Sequence, residues 1–278
     1  TTEALRFIQQ CKDTSFFVYL PFYSVHTPLT GPPELVGKYI NIAPKNGQGH
    51  QKHYAAMVER MDQNVGRILS TLQRLNLSNT LIVFSSDNGG IASVSRQWPL
   101  RGGKGSYYEG GIRVPLLFHW PEKIKAGVND ECPFSFLDMY QTLLHLLDIP
   151  TPKGYPLDGT DLSTVLLDKT YDPKVHDRPL IWHFPIYLQA YKKGQDDSRD
   201  ELFRTRPGSV IRQGDWKLHQ YFEDQEIELY NIVQDPGERI DLANAYPEKV
   251  AELLLALNEW RENYQAPIPT QLNPAYRP

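Results

Sequence analysis

The sequence predicts an α/β protein in two parts. A mostly parallel sheet sandwiched by helices is expected over residues 1–172, and a smaller antiparallel sheet with a packed helix over 173–278. Three observations carry this. Apolar, β-rich runs alternate with helix-period segments in the first part. Short strand-like runs separated by turn residues follow in the second. A proline-led segment with helical spacing closes it.

Taken in order, Ala4, Leu5, Ile8 and Cys11 fall on one side of an opening amphipathic helix. It reads as the middle of a helix, so residues are expected to precede Thr1. Ser15-Phe16-Phe17-Val18-Tyr19-Leu20 reads as a buried strand ending at Pro21. Tyr54, Met57, Val58, Met61, Val65, Ile68, Leu69 and Leu72 then recur at helical spacing, with Glu59, Arg60, Gln63 and Arg67 between them. Thr80–Phe84 and Val114–Phe118 are further strand candidates. A helix with Phe136, Tyr140, Leu143, Leu144 and Leu147 on one face follows. Beyond it, Leu180–Phe184, Ser209–Arg212, Trp216–His219 and Ile227–Tyr230 read as hairpin strands, with Gln213-Gly214-Asp215 as one turn. Pro247 opens a last helix showing Val250, Leu253, Leu254 and Leu257.

With 29 Lys and Arg against 33 Asp and Glu, the formal charge is -4, which disfavours a nucleic-acid or membrane-surface binder. An anionic substrate would be held by local cations. No apolar run is long enough to cross a bilayer. Cys11 and Cys132 define neither a disulfide framework nor a metal cluster.

Ligands of open α/β sheets bind at the carboxyl ends of strands. His26 follows the first expected strand, Asp87 and Asn88 follow the second, and Gly102-Gly103-Lys104-Gly105 precedes the third. Each has a plainer reading: a tight turn for Asp87-Asn88-Gly89-Gly90, a solvated loop for His26, a turn charge for Lys104. Lys104 does not belong to a phosphate-binding P-loop, since Trp98 stands where the first glycine should be and Gly105 replaces Ser/Thr. The three features share one expected sheet edge, as a site requires.

Asp87-Asn88-Gly89, Leu100-Arg101-Gly102-Gly103-Lys104-Gly105 and Glu109-Gly110-Gly111-Ile112-Arg113-Val114-Pro115, in this order, resemble the second half of a type I sulfatase of the alkaline-phosphatase superfamily. Phe17–Leu20 with His26-Thr27-Pro28, Ile211–Leu218, Glu228–Asn231 and Asp235–Glu238 extend the resemblance over nearly the whole chain. The resemblance implies hydrolysis of sulfate esters, with a sulfated small molecule or glycan as substrate. It implies a Ca2+ ion held by four oxygen-bearing side chains, Asp87 and Asn88 being the later two, which suits a hard cation. Lys104 would contact the sulfate, and His26 would protonate the leaving alcohol. The nucleophile would be a formylglycine from a C/S-x-P-x-R motif.

That motif is absent here. Cys132-Pro133-Phe134-Ser135-Phe136 has its proline one place early and no arginine, so Cys132 reads as structural. Nucleophile and first two metal ligands are therefore expected upstream, and the chain on its own is expected to lack turnover. His183 matches a block whose histidine reaches the substrate in similar carbohydrate sulfatases; a buried strand histidine is the other reading. Arg204 and Arg206 read as a polar loop that could meet an anionic glycan or simply face water. Asn76-Leu77-Ser78 is a formal glycosylation sequon. The resemblance also implies a periplasmic or extracellular location. A phosphonate or phosphate ester hydrolase of the same superfamily, and an incomplete fragment serving as a binding module, stay open beside this reading.

Overall fold

The computed structural model describes residues 1–42, 51–127, 132–168, 171–190, 197–200, 202–271 and 274. They form two compact units: Thr1–Val83 with Ser93–Arg96 and His119–Lys123, and Phe84–Ala92 with Gln97–Phe118 and Ile124–Pro278.

The first unit is helical. α1 (Thr2–Gln10) buries Ile8. α2 (Pro33–Tyr39) starts on a proline, whose fixed φ suits a first turn. The long α3 (Lys52–Arg74) is capped by Gln51, whose side chain accepts from the His53 and Tyr54 amides. Leu35 and Val36 of α2 pack on Ala56 of α3, and Lys38–Glu59 and Arg60–Glu34 pairs tie the helices outside that contact. α3 ends in a Schellman turn: Asn76 takes φ 55°, and the Leu77 amide returns to the Leu72 carbonyl at 2.9 Å. The sequon asparagine thus has a structural use as the left-handed residue of a helix stop.

The buried strand expected at Ser15–Leu20 is not formed. The segment carries no ladder pairing among the described residues, and Phe17 and Tyr19 are 76% and 79% exposed. β-rich composition makes a strand only where a neighbour takes its N–H and C=O groups, and no described strand lies beside it. Of the sheet expected in the first part, β1 (Ile82–Ser85) pairs with β2 (Leu116–His119); the boundary between the units passes through both strands.

The second unit holds the short α4 (Glu109–Ile112), α5 (Asp138–Leu146), α6 (Ser163–Asp168) and α7 (Pro173–His176). β3 (Leu180–Phe184) follows, then β4 (Leu188–Ala190), β5 (Phe203–Thr205), β6 (Gly208–Gln213), β7 (Trp216–Tyr221), β8 (Ile227–Asn231) and α8 (Pro247–Asn263). β3-β6-β7-β8 form the expected antiparallel sheet, with Ile211 opposite Leu218 and Leu218 opposite Leu229. β4 and β5 make a separate antiparallel pair. α8 closes one sheet face through Leu253 and Leu257 on Ile211, Leu218 and Leu229. Alternation sends Val210, Lys217, His219, Tyr221, Glu228 and Tyr230 to the other face. That face is also covered, by Tyr107 and Tyr108.

Candidate functional site

The segment after β1 is built for close backbone approach. Ser85 Oγ donates to the Pro115 carbonyl at 2.8 Å, and Ser86 Oγ to the Asn88 carbonyl at 3.0 Å, shaping the turn that presents Asp87 and Asn88. The Gly89 amide donates to Gly111 O at 2.9 Å, and the Lys104 amide to Gly90 O at 2.8 Å. A Cβ on Gly89 would stand 1.8 Å from the Gly110 oxygen, so glycine is required there. Gly89→Ala is expected to destabilise the protein by about 1–3 kcal/mol, the range for overpacking. Thermal unfolding checks this; an unchanged midpoint would deny the close approach.

The structure therefore joins Asp87, Asn88 and Lys104 into one backbone-bonded assembly. Asp87 is exposed, and Asn88 Nδ2 donates to the Gly89 carbonyl at 2.9 Å, which leaves its Oδ1 to accept elsewhere. Lys104 is half-buried, and its ammonium has no hydrogen-bond or ion-pair partner among the described residues. No group of three or more His, Cys, Asp or Glu among them is placed to hold a metal ion. Asp87 and Asn88 offer the oxygen donors a hard cation takes, as two ligands of a larger set.

Behind Lys104, three consecutive side chains anchor the loop to the sheet. Tyr107 Oη lies 3.0 Å from Gly208 O, Tyr108 Oη donates to Glu228 at 2.7 Å, and Glu109 meets Lys217 at 2.9 Å. Lys217 also pairs with Glu238 at 2.9 Å, and His219 Nε2 lies 3.2 Å from that carboxylate. Glu238 accepts the Glu109 amide at 2.6 Å. All four side chains are at most 2% exposed. Burial alone would raise Glu238, but Lys217, His219 and the Glu109 amide override it and hold its carboxyl down to about 2. Arg101 adds a guanidinium 4.1 Å above the Tyr108 ring and a 3.0 Å bond to Glu238 O.

Sequence reasoning quoted Glu109, Lys217 and Glu238 as motif residues but gave them no role. The available signal was Lys217 and His219 alternating about the apolar Leu218, which reads equally well as a solvated strand face.

His26 belongs to the first unit. It is exposed, and Nδ1 lies 2.8 Å from the Thr27 carbonyl, so Nδ1 carries the proton and Nε2 is left open. His183 sits on the α8 face, between Phe222 and Trp260 at centroid distances of 5.8 and 6.0 Å. Burial lowers its pKa, opposed by the Pro267 carbonyl and aided by Arg261. The neutral ring donates from Nε2 to Pro267 O at 3.0 Å and accepts at Nδ1 from Ser209 Oγ at 2.7 Å. Tyr107 and Tyr108 pack on the opposite face of the same sheet. Burial pushes the Cys132 thiol up, against Arg178, which does not favour a nucleophilic thiolate.

A sequence profile described as Sulfatase matches residues 1–149, and one described as N-sulphoglucosamine sulphohydrolase, C-terminal, matches 103–263. A sulfatase of Formosa agariphila is 35% identical over 266 residues, covering 88% of this chain and 45% of that protein. Human steryl-sulfatase is 30% identical, covering 97% and 48%. A solved structure titled as Ps i-CgsB in complex with k-i-k-neocarrahexaose superposes with TM-score 0.78 at 30% identity, covering 99% of this chain and 56% of that one. The fold is alkaline-phosphatase-like, as in the sulfatase structures it resembles. Within that class the chain belongs to the sulfatase family. It spans about half the length of the curated relatives it matches. No helix among the described residues is long and apolar enough to cross a membrane.

Proposed function

We propose that the full-length protein hydrolyses sulfate esters on a sulfated saccharide, and that Asp87, Asn88, Lys104 and His26 are its site residues from this chain. The carrying observation is the backbone-bonded assembly that joins two oxygen donors to a lysine with no side-chain partner among the described residues, in a chain of the sulfatase family. Lys104 offsets the charge that grows on the sulfate oxygens as the ester bond breaks. His26, protonated, keeps Nδ1–H on Thr27 and offers Nε2–H to the leaving alcohol. Asp87 and Asn88 would supply two of the ligands that hold Ca2+, and that ion would contribute screening of the sulfate charge. The nucleophile is a formylglycine outside these 278 residues, since no C/S-x-P-x-R motif occurs in them. A glycan is favoured by the likeness to the neocarrahexaose complex, and the proposed place of action is the periplasm or the extracellular space. Residues 1–172 carry the sulfate-handling part and 173–278 the saccharide-reading part. His183 enters as a rim residue whose Nε2 exchanges Pro267 O for a sugar hydroxyl.

The test compares an aryl sulfate with the matching aryl phosphate on the full-length protein, with and without a chelator. Sulfate turnover exceeding phosphate turnover, and lost on chelation, is expected. The reverse ratio would make it a phosphate ester hydrolase, and binding without turnover of either would leave a binding module. His183→Ala should weaken sulfated-sugar turnover several-fold and spare the aryl sulfate; equal losses, or none, would remove it from the site.

A further inference from the structure

Three arginines lie within eight residues of one another before the four-stranded sheet resumes, and two are neutralised by acids. Arg199 pairs with Asp224 at 2.6 Å and also with Glu226. Arg206 pairs with Asp200 and lies 3.7 Å from Glu223. Arg204 has no hydrogen-bond or ion-pair partner among the described residues. Among the described residues, Asp197 is held by the Gly102 amide at 2.8 Å and by Arg239 at 2.5 Å, Asp200 also by the Leu202 and Phe203 amides, and Glu228 by Tyr108.

Nor is Arg204 on a loop, as the sequence suggested. It lies in β5, whose flanking residues Phe203 and Thr205 pair with Ala190 and Leu188 of β4. This strand abuts the residue after Lys104. Gly105 takes φ +92°, and a Cβ there would meet Leu188 Cδ2 at 2.6 Å, Arg204 Cδ at 3.0 Å and Arg204 Cβ at 3.2 Å. Two adjoining elements thus carry two cations, Lys104 and Arg204, neither of which has a hydrogen-bond or ion-pair partner among the described residues. Like charges so placed repel unless an anion joins them.

We propose that Arg204 is a specificity-determining residue that binds a second oxyanion, a sulfate or a carboxylate, on the saccharide whose scissile sulfate faces Lys104. The inference rests on the sulfatase reading for the role of Lys104. A guanidinium on a strand suits this task, because its planar fork takes two oxygens of one anion and its backbone is held by the ladder.

The experiment uses the full-length protein as wild type, Arg204→Gln and Arg204→Lys. The probes are an aryl sulfate, a disaccharide with one sulfate, the same disaccharide with a second sulfate, and one with a sulfate and a uronate carboxylate. Arg204→Gln should lower kcat/KM by about tenfold or more on at least one two-anion probe, the loss of a charged hydrogen-bond partner. It should change the aryl sulfate and the singly sulfated sugar less than twofold, and Arg204→Lys should retain part of the preference. The two-anion probe that loses most tells sulfate from carboxylate. Equal effects on all four probes would overturn the assignment. If wild type turns over none of them, the sulfatase reading fails, and dissociation constants for the three sugars decide Arg204 alone. A two-anion preference unchanged in Arg204→Gln would then overturn it.

Discussion

Lys104→Ala in the full-length protein is expected to lower aryl sulfate turnover by about 100-fold or more, with an unfolding midpoint close to wild type. The two halves of this outcome have separate causes. The side chain is half-buried and bonded to nothing among the described residues, so its removal breaks no contact that supports the fold. The loop beneath it is held by its backbone and by Tyr107, Tyr108 and Glu109, which the substitution leaves alone. What disappears, on the function proposed above, is the cation facing the sulfate charge. Steady-state kinetics beside a thermal melt measures both. Turnover near wild type would sink the role given to Lys104, and a large fall in midpoint would make it structural.

The largest effect on stability is expected from Lys217→Met. Lys217 is fully buried and shared by Glu109 and Glu238, themselves 2% and 0% exposed at the side chain. Removing the cation leaves two carboxylates facing each other in a low-dielectric interior. Breaking a buried pair in this way costs about 3–5 kcal/mol. Acid should reveal the same network. The Glu238 carboxyl is held at about 2, below its ordinary 4.5, so its contribution is complete above about pH 4.5 and is lost as pH falls toward 2. That contribution is on the order of 3 kcal/mol. Denaturant melts between pH 6 and 3 should show wild type losing stability on the acid side and Lys217→Met, already weakened, losing less. Parallel acid limbs in the two proteins would mean Glu238 is not held by Lys217. Glu238→Gln in the Lys217→Met background should add less than it does alone, because the two residues share one interaction.

Strand and helix positions were legible wherever a period was sustained. The α3, α5 and α8 helices and strands β1, β2, β3, β6, β7 and β8 all lie where apolar spacing put them. The pairs and short turns α2, α4, α6, α7, β4 and β5 were not legible, because three to seven residues carry too few periods to stand out. Ser15–Leu20 failed for the opposite reason: its composition is that of a strand, and a strand needs a partner that local sequence does not contain.

The candidate site divides the same way. Asp87, Asn88 and Lys104 could be picked from the sequence because glycines announce tight backbone geometry, and the Gly89 approach to Gly110 supplies the physical need for them. Arg204 could not be told from its neighbours, since pairing with Asp200 or Asp224 depends on where the chain folds back.

By itself the sequence determined the type of the longer periodic elements, the apolar stripe of α8, and the order of residues able to handle an anion. Only the tertiary structure decided that the other face of the antiparallel sheet is also buried. A period-two pattern states which residues share a face; it does not state whether that face meets water. Tyr107, Tyr108 and Glu109 cover it, and Lys217, His219 and Glu238 become a closed charge network instead of a solvated surface. Their physical meaning comes from desolvation, a property of the folded surroundings that no residue carries alone.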